Sequence, residues 1–431
     1  MSDNKIKVVA LGGCGGMGQF AVKTALQFEN IETICIADKN IERARDFSIK
    51  CGYKTKAYMI DITDKDSLIK LLSTSDIVMN TTGPYYRYGV PILEAAINSK
   101  CNYIDLNDDW EPSLEMLSKS EEAKHAGITA IIGMGASPGI TNMLAAKAVE
   151  QIEIVDDLIT IWGAGSNKIS NLKSQFYPGD GGTFGSAIEH LLHQITGTIR
   201  IFKKGKFIDI KPLEKIIIDY PGNGKVSAYI VGHPEAVTLP ITYPDINNCF
   251  NAMALPEYLI QGLIFFASEV ENKRMTLRKA SRLLLDIVEN PLNTLLSKQA
   301  AEIISAVFNQ SICFKNNLLL KPLKLLKISE NKLPEICAIA IGTNDGKKTA
   351  CSVSLSSSLT GDSKYSNMGA LTGIPLAVGL DFFSQGIITK KGVFSPEAIF
   401  NPDMFFDRLA PLCNPARKNS KDLLVISTVN L

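Results

Sequence analysis

The stretch LGGCGGMGQFAVKTAL, residues 11–26, constrains the fold of this chain more than any other. An apolar run, KIKVVA, leads into it, and five glycines separate that run from a segment with helical spacing. Gly13, Gly15 and Gly18 form G-x-G-x-x-G. The first glycine permits a tight turn after a strand, the second lets a pyrophosphate approach the backbone, and the third lets the helix pack closely on the strand. The N–H groups of Gly16, Met17 and Gly18 would then open a helix whose dipole favours phosphate charge. Alone, the motif also describes a glycine-rich turn that binds nothing, so its surroundings decide.

Those surroundings alternate strand and helix patterns over the first 134 residues. Strands are expected at Ile6–Leu11, Thr33–Ala37, Lys56–Ile60, Ile77–Asn80, Asn102–Leu106 and Thr129–Ile132. Helices are expected at Met17–Phe28, Ile41–Ile49, Lys65–Leu72, Pro91–Asn98 and Ser113–His125. Six strands with intervening helices predict a doubly wound parallel sheet of the Rossmann type. The second strand ends on Asp38, twenty positions beyond Gly18. A carboxylate there accepts ribose hydroxyls and repels a 2′-phosphate, which favours NAD; Lys39 and Arg43 follow at once and suit NADP. Ligands of open parallel sheets lie beyond the carboxyl ends of the strands. That rule places Asp61 and Ile62 at the adenine edge and Asn80, Thr81, Gly83 and Pro84 along the nicotinamide side. Thr63 and Asp66 also suit a helix cap, so the Asp61 region carries both readings.

Composition narrows the class. A net charge of +1 over 431 residues gives no electrostatic footprint for nucleic acid or an anionic membrane, so neither is expected as a partner. No apolar run reaches spanning length, and MSDNKIKVVALGG lacks the apolar core of a secretory leader. Nine dispersed cysteines without CxxC argue against a zinc site or a disulfide framework and for a cytoplasmic chain. Cys14, inside the glycine loop at a helix start, sits where a thiol pKa can fall, or is simply a small turn residue.

Beyond residue 134 the pattern changes. Strands such as Leu158–Trp162 and Lys215–Asp219 alternate with glycine-rich turns, and residues 256–310 read as helices. Residues 335–356 form a hairpin pattern around an Asn-Asp-Gly turn. The expected organisation is α/β. An N-terminal Rossmann domain (1–134) is followed by an inserted α+β substrate domain (135–368) with a helical insertion at about 256–330. A helix and polar tail (369–431) then return to the first domain.

The glycine motif, NTTGPYYRYGVPILEAA, CNYIDLNDDW, MGASPGITNMLA, GHPEAVTLP and MGALTGIPLAVGLDFFSQGIITKKGVFSPEAIF together resemble the saccharopine dehydrogenase/reductase-like family. The resemblance runs over nearly the whole chain. It implies hydride transfer between a nicotinamide cofactor and a carbon–nitrogen bond, in saccharopine or carboxynorspermidine chemistry for example, on a small amino-acid or polyamine substrate. One departure stands out: where the reductases carry an Asp-Pro-Gly-Ile-Asp type segment, this chain has Ser137-Pro138-Gly139-Ile140-Thr141. Two other readings stay open, reduction of a different double bond on the same scaffold and a dinucleotide-binding sensor without turnover. A homodimer through the second domain's sheet is also compatible.

Imine chemistry needs an acid/base group near the carbon–nitrogen bond and a cation or helix N-terminus for substrate carboxylates. Asp105, Asp108 and Asp109 follow the fifth strand, and Asp105 or Asp108 is the acid/base candidate. Tyr86 and Arg87 are the other catalytic candidates, as proton relay and carboxylate partner. Tyr85, Gly182, Thr183, Ser137 and Thr372 are the substrate-side candidates; Gly182 and Thr183 lead into a helix much as the opening stretch does, with Ser186 in its first turns. His190 and His193, three apart on that helix, read as packing or surface residues and not as metal ligands. His233 and Glu235 form a plausible site pair, or a turn at a strand junction.

Overall fold

The computed structural model describes residues 5–163, 184–255, 257–289, 333–357, 359 and 368–431. Six strands carry the N-terminal sheet: Ile6–Leu11 (β1), Ile31–Asp38 (β2), Thr55–Met59 (β3), Ile77–Asn80 (β4), Asn102–Asp105 (β5) and Thr129–Ile131 (β6). All pair in parallel in the order β6-β5-β4-β1-β2-β3, and Gly392–Phe394 adds a seventh strand beside β6. The order reverses between β1 and β4, which opens a crevice at their carboxyl ends. Val8–Leu11 of β1 and the apolar residues of β4 are buried, as a sheet covered on both faces requires.

Local chemistry sets the boundaries. Asn40 caps the helix Ile41–Cys51 by accepting from Arg43 N, and Asp64 caps Lys65–Leu72 by accepting from Ser67 N. The cap expected at Thr63 and Asp66 therefore belongs to Asp64, while Thr63 bonds to Asp61. The helix expected from Pro91 begins at Tyr85, directly after Pro84, and holds Pro91 inside it. Tyr85–Tyr88 thus lie on a helical turn. The helix expected at Ser113–His125 is two, Trp110–Ser118 and Ser120–Ala126.

Among the described residues the second sheet has nine strands. Lys215–Tyr220, Gly224–Val231, Asn248–Met253, Ile154–Trp162, Ile336–Asn344, Lys347–Leu355 and Leu424–Asn430 run in that order, with Ile199–Lys203 and Lys206–Ile210 branching from Asn248–Met253. The last 60 residues thus serve both sheets: Gly392–Phe394 joins the first, whereas Leu424–Asn430, read from sequence as part of a polar tail, pairs with Lys347–Leu355 of the second. One continuous apolar core includes Ile34 of the first sheet and Ala338 of the second.

Helix Met368–Ser384 is apolar all round and buried along nearly its whole length. It crosses the glycine loop at close range. A Cβ on Gly369 would stand 2.7 Å from Gly16 O, and one on Gly373 2.4 Å from Met17 O. Among the described residues, no helix is long and apolar enough to cross a membrane.

Candidate active site

A cavity of about 460 Å³ opens at the switch point of the first sheet and reaches the second sheet. Its first end is made of backbone. Gly12, Gly15, Gly16 and Met17 line it, followed by Thr81, Gly83 and Pro84 after β4. Gly18 lies beneath: a Cβ there would meet Gly12 O at 2.5 Å, Thr81 Oγ1 at 2.7 Å and Gly13 Cα at 2.8 Å. Gly13 faces the core, where a Cβ would touch Ala10 Cβ at 2.7 Å. The loop therefore has the close helix–strand packing and bare backbone that a pyrophosphate cradle requires.

Asp38 and Arg43 line the same end. Asp38 accepts from Asn40 N at 2.9 Å and from Cys14 Sγ at 3.1 Å. Burial and that carboxylate push the Cys14 thiol up to about 12, so of its two readings the small turn residue holds and the lowered pKa does not. Arg43 is half-buried, and its Nη2 is enclosed without a hydrogen-bond partner among the described residues. Lys39 is turned away in an exposed ion pair, 2.9 Å from Asp61 Oδ2. Asp61 accepts from Thr63 N and Oγ1 as well, and these bonds with Lys39 hold its pKa well below the usual carboxylate range. Neither Lys39, Asp61 nor Ile62 lines the cavity.

The far end is made of side chains. Asp108 lines it, with Oδ1 2.6 Å from His190 Nε2 and its backbone carbonyl accepting from Gln194 Nε2 at 2.8 Å. Asp109 stands behind, 1% exposed; Oδ2 accepts from Tyr86 N at 2.9 Å. Its Oδ1 lies 3.3 Å from His190 Nε2 and has no hydrogen-bond partner among the described residues. Burial raises both carboxyl pKa values to about 7 and lowers that of His190. His190, read from sequence as a packing or surface residue, is thus a polar wall of the cavity. Its neighbour His193 does pack, with its ring centroid 4.3 Å from that of Tyr86. Asp108, Asp109 and His190 are the group among the described residues whose potential metal-ligand atoms lie within 4.8 Å of one another. Here two of those atoms hydrogen-bond each other.

Across the cavity, His233 lines the wall beside Ser137 and Trp162. His233 Nδ1 is 3.1 Å from Glu235 Oε2. Glu235 Oε1 accepts from Ser137 Oγ at 2.5 Å, Thr141 Oγ1 at 2.7 Å and Asn251 Nδ2 at 3.0 Å. Gly139 makes this possible: with φ +119 and no room for a Cβ beside Gly135 O, it turns Ser137 and Thr141 to one carboxylate.

The remaining candidates divide. Tyr85 lines the cavity, but its hydroxyl donates to Asn80 O at 3.1 Å and burial drives its pKa well up. Thr372 lines it from the Met368–Ser384 helix. Asn80 is buried and holds the loop by bonds to Tyr103 OH and Thr82 N. Asp105 is fully buried away from the cavity. It accepts from Tyr103 OH, Asn107 N and Gly133 N, tying β5 to the turn after β6. Arg87 is exposed, stacked on Tyr88 at 5.1 Å, and Tyr86 also lies outside the cavity lining. The helical turn at Tyr85–Tyr88 explains both: it points successive side chains around the axis. Gly182 and Thr183 lie outside the described residues, as does the side chain of Ser186. Sequence reasoning passed over Gln194, Trp162 and Asn251, which no motif marks.

Residues 8–131 match the family model of the saccharopine dehydrogenase NADP binding domain, and residues 135–412 match that of the saccharopine dehydrogenase C-terminal domain. The first match marks a nicotinamide-dinucleotide-binding domain. A carboxyaminopropylagmatine dehydrogenase of Synechocystis is 24% identical over 269 residues, covering 59% of this chain and 64% of that protein. A carboxynorspermidine synthase of Vibrio cholerae is 26% identical over 258 residues, covering 53% of this chain and 58% of that one. The chain thus spans less than two thirds of the length of either relative. Apo saccharopine dehydrogenase (L-Glu forming) of Saccharomyces cerevisiae shares the fold, with a TM-score of 0.59 over 98% of this chain and 100% of that one at 17% identity.

Proposed function

This chain belongs to the saccharopine dehydrogenase family, and on that premise we propose that it is an NAD(P)-dependent oxidoreductase acting on the C–N bond of an amino-acid or polyamine conjugate. It would reduce an imine or oxidise a secondary amine. The supporting observation is a single cavity with a bare glycine loop at one end and Asp108, His190 and His233 at the other.

The residues present fit a dinucleotide. Gly12, Gly15, Gly16 and Met17 would cradle the pyrophosphate, Asp38 the ribose hydroxyls, and Thr81, Gly83 and Pro84 the nicotinamide side. Bound there, the cofactor supplies or accepts the hydride. Asp108 is the acid/base candidate, because burial and the neighbouring carboxylates let it hold a proton near neutrality. In its ionised form it would draw a substrate ammonium to the cavity wall.

For the cofactor we favour NAD, on Asp38. One observation favours NADP: Arg43 Nη2, enclosed and without a partner among the described residues, is the donor a 2′-phosphate would engage. Titration of the purified protein with NADH and NADPH decides between them. With NADP as cofactor, Arg43→Ala weakens NADPH binding about 10- to 100-fold, the scale of a charged hydrogen bond, and leaves NADH unchanged. The reading also includes a homodimer through the second sheet, checked by light scattering, and a cytoplasmic setting in keeping with eight free cysteines among the described residues. The reaction is tested by mixing amines such as lysine or putrescine with oxo acids and aldehydes, and following oxidation of NADH or NADPH. Turnover with one amine–carbonyl pair is expected; tight cofactor binding without turnover on any pair would overturn the reading.

A further inference from the structure

Glu235 is an expensive residue to bury. It is 0% exposed, yet four donors from three segments converge on it: Ser137 and Thr141, His233, and Asn251. A buried ion pair is weak support for stability, because apolar side chains of the same volume do as well or better. The arrangement instead has the form of a device that holds an anion behind an imidazole. His233, at 3% exposure, lies between that anion and the cavity, with its ring 5.6 Å from that of Trp162.

We propose that His233 is a catalytic proton-exchanging residue of this site, acting through Nε2, and that Glu235 is its positioning residue. This rests on the oxidoreductase reading above. The hydrogen bond from Nδ1 to Glu235 fixes one tautomer and leaves Nε2 with the lone pair. In the oxidative direction Nε2 takes a proton from the substrate's secondary ammonium. The nitrogen lone pair would then form the C=N bond as the adjacent carbon gives up a hydride, for which a bound oxidised nicotinamide would be the acceptor. In reduction the imidazolium returns that proton to nitrogen as hydride arrives at carbon. Charge balances in both directions, and the imidazolium formed in oxidation is stabilised by the carboxylate behind it.

The electrostatics agree with that geometry. Burial opposes the charge on His233, but Glu235 outweighs it and the pKa is raised above the ordinary value. Burial would likewise raise Glu235, but His233 and the hydroxyl donors hold it low, so the carboxylate stays ionised. The other titratable groups facing His233 are Asp108 and Asp109, which support its charge, and His190, whose own charge it opposes. Ser137 and Thr141 are therefore the hydroxyls that keep Glu235 an anion.

The test compares the intact protein with His233→Asn and Glu235→Gln. We expect His233→Asn to lower kcat about 10²- to 10⁴-fold with cofactor affinity retained, the range for general acid–base catalysis. One limb of the kcat–pH profile should vanish with it. In Glu235→Gln that limb should move to lower pH, because removing the carboxylate removes the support for the imidazolium. Unchanged kcat and pH profile in His233→Asn would overturn the proposal. A separate measurement needs neither substrate nor turnover: ¹⁵N NMR of the histidine rings in the wild-type protein. It should show His233 as the Nδ1–H tautomer, titrating at Nε2 above the ordinary histidine value. The opposite tautomer, or a ring that stays neutral across the pH range, would overturn the dyad even if the variants fail to fold. Absence of turnover on any amine–carbonyl pair by a protein whose His233 titrates as described counts against the oxidoreductase reading instead.

Discussion

The two ends of the cleft are built by opposite means. The glycine-loop end is contiguous in sequence and consists of backbone: its requirement is that side chains be absent. The far end consists of side chains drawn from distant segments, with Asn251 and Ser137, for example, 114 positions apart. Its requirement is that buried charges be paired. The first kind of site fails by steric intrusion, and the second by a lost or misplaced proton.

The largest effect should come from intrusion. Gly18→Val places a branched side chain where even a Cβ would stand 2.5 Å from Gly12 O, and backbone cannot yield as a flexible side chain would. We expect at least a 100-fold loss of dinucleotide affinity and a destabilisation of several kcal/mol, read by cofactor titration and thermal melting. Wild-type affinity in this variant would remove the loop from the cofactor site. At the far end, Asp108→Asn keeps the shape and removes the titrating proton. Its kcat should fall about 10²- to 10⁴-fold while cofactor affinity stays within about twofold. Equal losses in both quantities would mean that the two ends are not separable.

The same contrast explains what was legible in the sequence. Six strands, the order of elements and the glycine cradle follow from periodicity and spacing, because their causes are local. The doubly wound parallel sheet follows from them. Pro91 misled, because a proline is a common helix start, yet the turn set by Pro84 begins the helix six residues earlier. That shift carries Arg87 to the surface. Asp105 and Asp108 are indistinguishable in NYIDLNDDW; only the chain's turn after β5 buries one under Gly133 N and exposes the other to the cavity. His190 had no visible partner in sequence because its partner stands 82 positions away.

Asp105 provides a smaller effect of opposite sign to most charge deletions. Burial pushes its pKa up to about 6 from 3.8, so the native state keeps this proton to higher pH than the unfolded chain does. The resulting stabilisation is complete below about pH 4 and is lost as pH rises through 6. Asparagine stays neutral, and its Oδ1 can still accept from Asn107 N and Gly133 N. Asp105→Asn should therefore gain on the wild type by about 2 kcal/mol between pH 4 and pH 7, measured by denaturant unfolding at both values. Parallel stability–pH curves would show that Asp105 titrates normally. Loss of kcat without this stability change would return it to the catalytic role that the sequence suggested.

The smallest effect is expected at Arg87. A cation at this position beside the nicotinamide side would suit a substrate carboxylate, and the motif YYRYG offers one. The helical turn that carries it leaves the guanidinium exposed over the Tyr88 ring, outside the cavity. An exposed cation–π contact contributes about 0.5–1 kcal/mol. Arg87→Ala should change stability by no more than that and leave kcat/KM within about twofold. A tenfold rise in KM at constant kcat would show that this helix turn rearranges when substrate binds, bringing the guanidinium to the side-chain-built end of the cleft. Cofactor affinity, set by backbone at the other end, should be unmoved in either case.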